Sequence, residues 1–146
     1  ATAQERSTRR AADSSLADRI VERGMESFVD EWEELPLFDS QVRLTPDSRR
    51  ALRAARLEND PGALAATLRG LGTGALPSLW NQLRDLSVPT LVLVGGLDRK
   101  FVEIGGRMAK ALPNAHLTVI PNVGHAVHLE APKAWCDAVA SFLLPD

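Results

Sequence analysis

Two short apolar runs, separated by a helical pattern, limit what this chain can fold into. Residues 90–94 form a continuous apolar run between a proline and two glycines, and residues 116–120 form a second run further along the chain. Such runs are typical of strands buried on both faces of a parallel sheet. Because residues 101–112 have the spacing of an amphipathic helix, we expect two parallel strands joined by a right-handed crossover, followed by a closing helix over 132–143.

An aspartate and a histidine come directly after these two strands. Asp98 follows Gly-Gly-Leu after the first strand, and His125 follows Asn-Val-Gly after the second. In open parallel sheets, functional side chains gather beyond the carboxyl ends of the strands. Asp98 alone could be a helix-capping residue, and His125 alone could be a loop histidine bonded to backbone. Their pairing after two buried strands favours the acid and base of a catalytic triad.

The third member of such a triad is absent. No G-x-S-x-G segment, the turn that carries a nucleophilic serine, occurs upstream of Asp98. Two strands are also a poor sheet by themselves. We therefore expect the chain to be the carboxyl-terminal part of an enzyme, whose sheet is completed by the amino-terminal half of the same enzyme or by a second copy of the chain.

The composition changes near Val88-Pro89, and we divide the chain there into a helical region, 1–86, and a βαβα region, 87–146. The helical region shows four amphipathic stretches separated by Pro and Gly, with no alternating strand pattern. Apolar stripes predict one helix through Leu16 and Ile20, a second through Met25 to Trp32, a third that starts at Thr45-Pro46-Asp47 and a fourth after Asn59-Asp60-Pro61-Gly62; a further helix is predicted over 76–86.

Charge and cysteine content exclude several function classes. The 17 basic and 19 acidic residues give a net charge of −2, which does not suit nucleic acid or an anionic membrane surface. No run approaches the length of a membrane span, so no membrane insertion is expected.

The single cysteine, Cys136, cannot form an internal disulfide and is interpreted as a small apolar helix residue. A cytoplasmic location is expected, with a plastid location left open.

Residues His125, His128 and Glu130 form an H-x-x-H-x-E pattern that could suggest a metal site. No cysteine or second acidic cluster completes a ligand set, so no metal is predicted. Glu130 is interpreted as an acid at the positive end of the last helix.

Several longer segments carry a family resemblance: ERSTRRAAD, FVDEWEELPLF, RLENDPGALAATLRGLGTGALPSLW, DRKF and PNVGHAVHLEAP. Together they resemble the 2-succinyl-6-hydroxy-2,4-cyclohexadiene-1-carboxylate synthases, enzymes of menaquinone biosynthesis with an α/β-hydrolase fold. The resemblance implies an α/β fold class: the C-terminal half of an α/β-hydrolase fold, with two parallel strands and helices, preceded by a helical cap. It also implies a lyase that uses a Ser–His–Asp triad to remove a ring proton and eliminate pyruvate, without a cofactor.

The same resemblance implies roles for individual residues. Asp98 would orient His125, which would activate the serine of the missing half. The substrate, a small dicarboxylate-type molecule, would be bound by residues of the cap and of the DRKF segment: Arg9 (with Arg10 as the alternative), Arg56, Trp32 and Phe101. Read without the family, the paired arginines are a solvated face and Trp32 is a core residue at helical spacing from Phe28.

Three functions remain open from the sequence. The first is the synthase, with the 146 residues inactive alone because the nucleophile is missing. The second is a general ester or carbon–carbon bond hydrolase of the same fold. The third is a non-catalytic interaction module that binds a partner through its sheet edge and apolar cap faces.

Overall fold

The computed structural model describes residues 2–144, and their contacts divide them into two compact units. The first unit comprises residues 2–34 and 45–78, and the second comprises 35–44 and 79–144. Residues 35–44 therefore pack with the strand-containing part of the chain, although they lie inside the helical stretch of the sequence. The two units are described separately below.

The first unit contains the helices α1 (Ala3–Glu33), α2 (Pro46–Leu57) and α3 (Pro61–Leu71). Gly24 interrupts α1 with φ 80° and ψ 178°. A positive φ costs glycine little, so the two predicted amphipathic helices are the two arms of α1 on either side of Gly24. Ala17, Ile20 and Val29 of α1 are buried together with Ala65 of α3.

Local capping bonds set the starts of these helices. Thr2 and Glu5 form a reciprocal capping box at α1. The Thr45 side chain accepts the N–H of Ser48 at 3.1 Å, and Asp60 accepts the N–H of Ala63 at 2.7 Å. Proline occupies the first helical position after each of these last two caps. The helix start predicted at Thr45-Pro46 is confirmed.

The second unit contains the parallel strand pair. Strand β1 (Thr90–Gly95) pairs in parallel with strand β2 (Ala115–Ile120). Thr90 lies opposite Ala115, and Gly95 lies opposite Ile120. This pairing confirms the predicted βαβα order. The elements in chain order are a first 3₁₀ helix (Pro36–Arg43), a second 3₁₀ helix (Trp80–Asp85), β1 (Thr90–Gly95), α4 (Arg99–Ala111), β2 (Ala115–Ile120), α5 (Val127–Glu130) and α6 (Pro132–Leu143).

The strands are less buried than their apolar sequences predict. Only Val94 and Gly95 of β1 are buried, and β2 alternates between exposed and half-buried residues. Helix α4 packs against both strands, but within residues 2–144 no third strand lies beside them. The side chains therefore stay partly open, because burial on both faces of a strand needs neighbours that this part of the chain does not supply.

One further expectation is wrong. Residues 76–86 do not form one helix: the segment contains the shorter second 3₁₀ helix, Trp80–Asp85. Pro77 lacks an N–H and disfavours helical geometry in the residue before it, which accounts for the late start.

Cys136 lies on α6, within a helix as expected, and it is exposed. Among the described residues, no helix combines the length and the apolar character needed to cross a bilayer.

Candidate active site

Asp98 lies where β1 ends and α4 begins. Its backbone N–H donates to the Gly95 carbonyl at 3.1 Å, and its Oδ1 accepts the N–H of Phe101 at 3.1 Å. This second bond makes Asp98 the N-cap of α4. Its side chain is only 5% exposed. The carboxylate is therefore held in one orientation by the helix that follows it.

His125 lies in the loop after β2 and meets the other oxygen of that carboxylate. Its Nδ1 is 2.7 Å from Asp98 Oδ2. A carboxylate can only accept hydrogen bonds, so Nδ1 is the donor and, in the neutral ring, Nε2 is left as an acceptor. The His125 side chain is 34% exposed. This is the arrangement in which an imidazole can take a proton from a nucleophile.

The two loops that carry these residues are bonded to each other. Leu97, next to Asp98, donates its N–H to the carbonyl of Val123 at 2.9 Å. A Cβ on Gly95 would overlap the carbonyl oxygen of Gly124, so only a glycine lets the end of β1 approach this loop. The separation of Asp98 and His125 is thus set by backbone contacts on both sides.

Two aromatic rings flank the imidazole. The Phe101 ring meets His125 edge-on at a centroid distance of 4.8 Å and an interplanar angle of 65°. Phe38 approaches from the first 3₁₀ helix at 6.4 Å and 71°. Such edge-to-face contacts are favourable and restrict the tilt of the ring. Nothing in the spacing of residues 35–44 predicts that Phe38 contacts His125.

A cavity of about 480 Å³ opens beside the pair. Its walls come from residues 36–43, 97–99 and 124–125, and they include the charged side chains of Asp39, Arg43 and Arg99. A larger groove of about 1030 Å³ runs along the strands and α6 but contains none of the predicted site residues. We take the smaller cavity as the functional one, because it holds the histidine and its acid.

The H-x-x-H-x-E pattern has a different explanation from metal binding. Both carboxylate oxygens of Glu130 accept backbone N–H groups, from Gly124 at 2.7 Å and from Ala126 at 3.2 Å. His128 is exposed. Within residues 2–144 no group of three or more His, Cys, Asp or Glu side chains is arranged to hold a metal ion.

The predicted substrate residues of the first unit each have a partner inside that unit. Arg9 Nε lies 2.8 Å from Oδ1 of the buried Asp13, and Arg10 donates to the Gly74 carbonyl at 3.3 Å. Arg56 pairs with Glu33 at 2.8 Å. Trp32 packs on Phe28 with ring centroids 5.4 Å apart. Their roles toward a substrate stay predictions. Phe101 belongs to the second unit, where its ring contacts His125.

Known proteins are similar to this chain over nearly its whole length. A putative 2-succinyl-6-hydroxy-2,4-cyclohexadiene-1-carboxylate synthase from Bacillus subtilis is 42% identical over 97% of this chain and 52% of its own length. The synthase from Serratia proteamaculans is 33% identical over 99% of this chain and 53% of its own. The chain spans about half the length of the curated bacterial synthases that it matches.

Two solved structures are also similar. The structure of MenH from S. aureus superposes with a TM-score of 0.96 at 37% identity, over 98% of this chain and 54% of that one. A thermophilic esterase from Thermogutta terrifontis superposes with a TM-score of 0.80 at 27% identity, over 93% of this chain and 50% of that one. The fold is therefore part of an α/β-hydrolase fold, as the sequence predicted. The family model for the Alpha/beta hydrolase family matches residues 4–138, and the chain belongs to this family.

Proposed function

We propose that this chain supplies the acid–base pair and the cap of a synthase in menaquinone biosynthesis. The reaction is the elimination of pyruvate from 2-succinyl-5-enolpyruvyl-6-hydroxy-3-cyclohexene-1-carboxylate, which makes the enzyme a carbon–oxygen lyase. The observation that carries the proposal is the 2.7 Å bond between Asp98 and His125, in a chain similar to proteins named as this synthase.

The chemistry assigns one step to each residue. Asp98 holds the Nδ1 proton of His125, so that Nε2 accepts the proton of a serine hydroxyl. The serine oxygen then removes a proton from the substrate ring, and the electron pair released there moves through the ring and breaks the bond between the ring carbon and the enolpyruvyl oxygen. The group leaves as pyruvate enolate, which takes up a proton to give pyruvate. Asp98 stabilises the imidazolium that forms. No acyl-enzyme arises, because the serine acts as a base and not as a nucleophile.

The negatively charged carboxylates of the substrate require positively charged side chains to bind them. Arginine binds carboxylates in a bidentate manner and has five N–H donors, so the ion pair of Arg9 with Asp13 leaves donors for a second carboxylate. We assign this role to Arg9 and Arg56, and apolar contacts with the substrate to Trp32 and Phe101. We also propose a cytoplasmic location, because the single cysteine of these 146 residues cannot form a disulfide within them.

The 146 residues contain no G-x-S-x-G segment. A polypeptide limited to these residues therefore lacks the base that starts the reaction, and we expect it to release no pyruvate by itself. Its partner is a serine-bearing half, which also completes the sheet beside β1 and β2.

The test is complementation. The chain is combined with the first half of the Bacillus subtilis relative, and pyruvate release is followed by an NADH-coupled assay. We expect release from the mixture and from neither half alone, and we expect His125→Ala to lower it by about three orders of magnitude or more. His128→Ala is the matched control, since His128 is an exposed histidine on the adjacent short helix α5. Equal loss in both variants, or release from the chain alone, would contradict the proposal.

A second candidate, ester hydrolysis, is favoured by the similarity to the Thermogutta esterase. The same mixture is assayed with a p-nitrophenyl ester. Hydrolysis that depends on His125 without pyruvate release would assign the chain to an esterase. Absence of both activities from a folded complex would favour the non-catalytic interaction module.

A further inference from the structure

Glu130 contacts the backbone on both sides of His125. Its Oε2 accepts the N–H of Gly124 at 2.7 Å, and its Oε1 accepts the N–H of Ala126 at 3.2 Å. Hydrogen bonds from backbone N–H groups to a carboxylate are stronger than those to a neutral acceptor. One side chain thus satisfies the two donors that bracket the histidine.

The surrounding loop needs such support. Asn122 has a φ of 60°, a conformation that is uncommon for residues other than glycine. The His125 side chain is 34% exposed, so packing against Phe101 and Phe38 covers the ring only in part. The N–H groups of Gly124 and Ala126 donate to Glu130 and, within residues 2–144, to no strand. Backbone donors left unpaired in a half-buried loop are costly.

Close packing then leaves the carboxylate little freedom. A Cβ added to Gly124 would lie 2.9 Å from each carboxylate oxygen of Glu130 and would overlap the hydroxyl of Ser40. Glu130 is also anchored at its own end, because its N–H donates to the Ala126 carbonyl at 2.9 Å in the turn of α5. The carboxylate and the loop are therefore fixed relative to each other.

From these contacts we infer that Glu130 is a positioning residue for His125: its carboxylate clamps the backbone around the histidine and so holds the imidazole against Asp98. It acts through His125 and touches no reacting atom. Its importance for turnover rests on the proposed function, but the clamp itself does not.

The first test uses the unmodified chain. Amide hydrogen exchange of Gly124 and Ala126 is measured by NMR, together with the low-field Nδ1 proton of His125. We expect both amides to be protected and the low-field signal to be present. Exchange of either amide at the rate of an open loop would overturn the inference, without any variant having to fold.

The second test compares Glu130→Gln with Glu103→Gln, an exposed glutamate on α4 of the same unit. Glutamine has one acceptor oxygen, so it keeps one of the two bonds and turns its amide donors toward the other N–H. We expect Glu130→Gln to lose the low-field proton with its far-UV spectrum unchanged, and Glu103→Gln to keep it. Persistence of the signal in Glu130→Gln, with Gly124 or Ala126 exposed to exchange, would overturn the inference.

In the complemented enzyme, kcat and KM are measured separately, which distinguishes a misplaced histidine from a loss of stability. We expect Glu130→Gln to lower kcat about 10- to 100-fold, the effect of misplacing a catalytic group by about 1 Å, with KM changed less than about twofold. Glu130→Ala should be slower still. A kcat for Glu130→Gln equal to that of Glu103→Gln would overturn the role in turnover. If the unmodified complex releases no pyruvate, the proposed function fails, and the two NMR measurements still decide whether the clamp exists.

Discussion

The Asp98 carboxylate bonds to His125 with one oxygen and caps helix α4 with the other. Oδ2 of Asp98 lies 2.7 Å from Nδ1 of His125, while its Oδ1 accepts the N–H of Phe101. When only the sequence is known, helix capping and membership of a catalytic triad compete as explanations of Asp98. The structure contains both contacts at once. The cap bond holds the carboxylate in the orientation in which its other oxygen meets His125, so α4 contributes directly to the geometry of the pair.

Two substitutions separate these contacts. Asparagine caps a helix nearly as well as aspartate does, but its amide at this position would favour the wrong histidine tautomer. For Asp98→Asn we therefore expect a free energy of unfolding within about 1 kcal/mol of the parent chain and a kcat lowered about 10⁴-fold in the complemented enzyme. Asp98→Ala should cost about 1 kcal/mol more, because the cap is lost as well. Urea unfolding and pyruvate release measure the two effects, and equal stability of both variants would contradict the capping role.

Gly124 should tolerate no side chain. A methyl group there would overlap the hydroxyl of Ser40 and crowd the Glu130 carboxylate, so we expect Gly124→Ala to lower the free energy of unfolding by about 1–3 kcal/mol. Gly106 is the control, because a Cβ at this position in α4 meets nothing within 4 Å. Gly106→Ala should raise stability by about 1 kcal/mol. Urea unfolding of both variants gives the comparison, and a neutral Gly124→Ala would show that the loop relaxes.

Ser40 carries a hydroxyl that the fold does not use. Its Oγ is buried and has no hydrogen-bond partner within residues 2–144. Removing an unsatisfied buried hydroxyl relieves its desolvation cost, so Ser40→Ala should raise the free energy of unfolding by about 1 kcal/mol. The exposed Ser87 of the same unit is the control, with a change below about 0.5 kcal/mol expected for Ser87→Ala. Destabilisation of Ser40→Ala in thermal or urea unfolding would mean that the hydroxyl is bonded in solution.

Arg9 stabilises the fold whether or not it binds substrate. Asp13 is buried with its side chain 4% exposed, and Arg9 is its ion-pair partner at 2.8 Å. We expect Arg9→Ala to lower the free energy of unfolding by about 1–3 kcal/mol through the uncompensated carboxylate. This is less than for a fully buried pair, because the Arg9 side chain is 55% exposed. The exposed Arg49 on α2 should change it by less than about 0.5 kcal/mol when replaced by alanine.

A substrate role for Arg9 has its own readout. In the complemented enzyme, Arg9→Lys keeps a positive charge beside Asp13 but loses the bidentate geometry. We expect it to fold normally and to raise KM about tenfold, the loss of one charge-assisted hydrogen bond. An unchanged KM would leave Arg9 with its structural role alone, and the same measurement on Arg10→Lys then tests the neighbouring residue.

Features that depend on short-range bonding and on hydrophobic pattern could be predicted from the amino-acid sequence. The caps at Thr45 and Asp60 are bonds between residues three apart, and the strand pair follows from apolar runs between Pro and Gly. The order of Asp98 and His125 after those strands was enough to predict their meeting, because parallel strands end at one edge of a sheet.

The other groups that surround the histidine could not be predicted from the sequence, because they depend on how distant segments pack. Phe38 reaches it from a 3₁₀ helix far away in sequence, and residues 35–44 belong to the unit that contains the strands, although α1 and α2 flank them in the chain. Glu130 is near in sequence, but its two bonds depend on how the loop turns at Asn122. Contacts of this kind leave no periodic pattern, because they arise when separate segments dock. They are set by packing and backbone hydrogen bonding across the fold, which residue spacing does not encode.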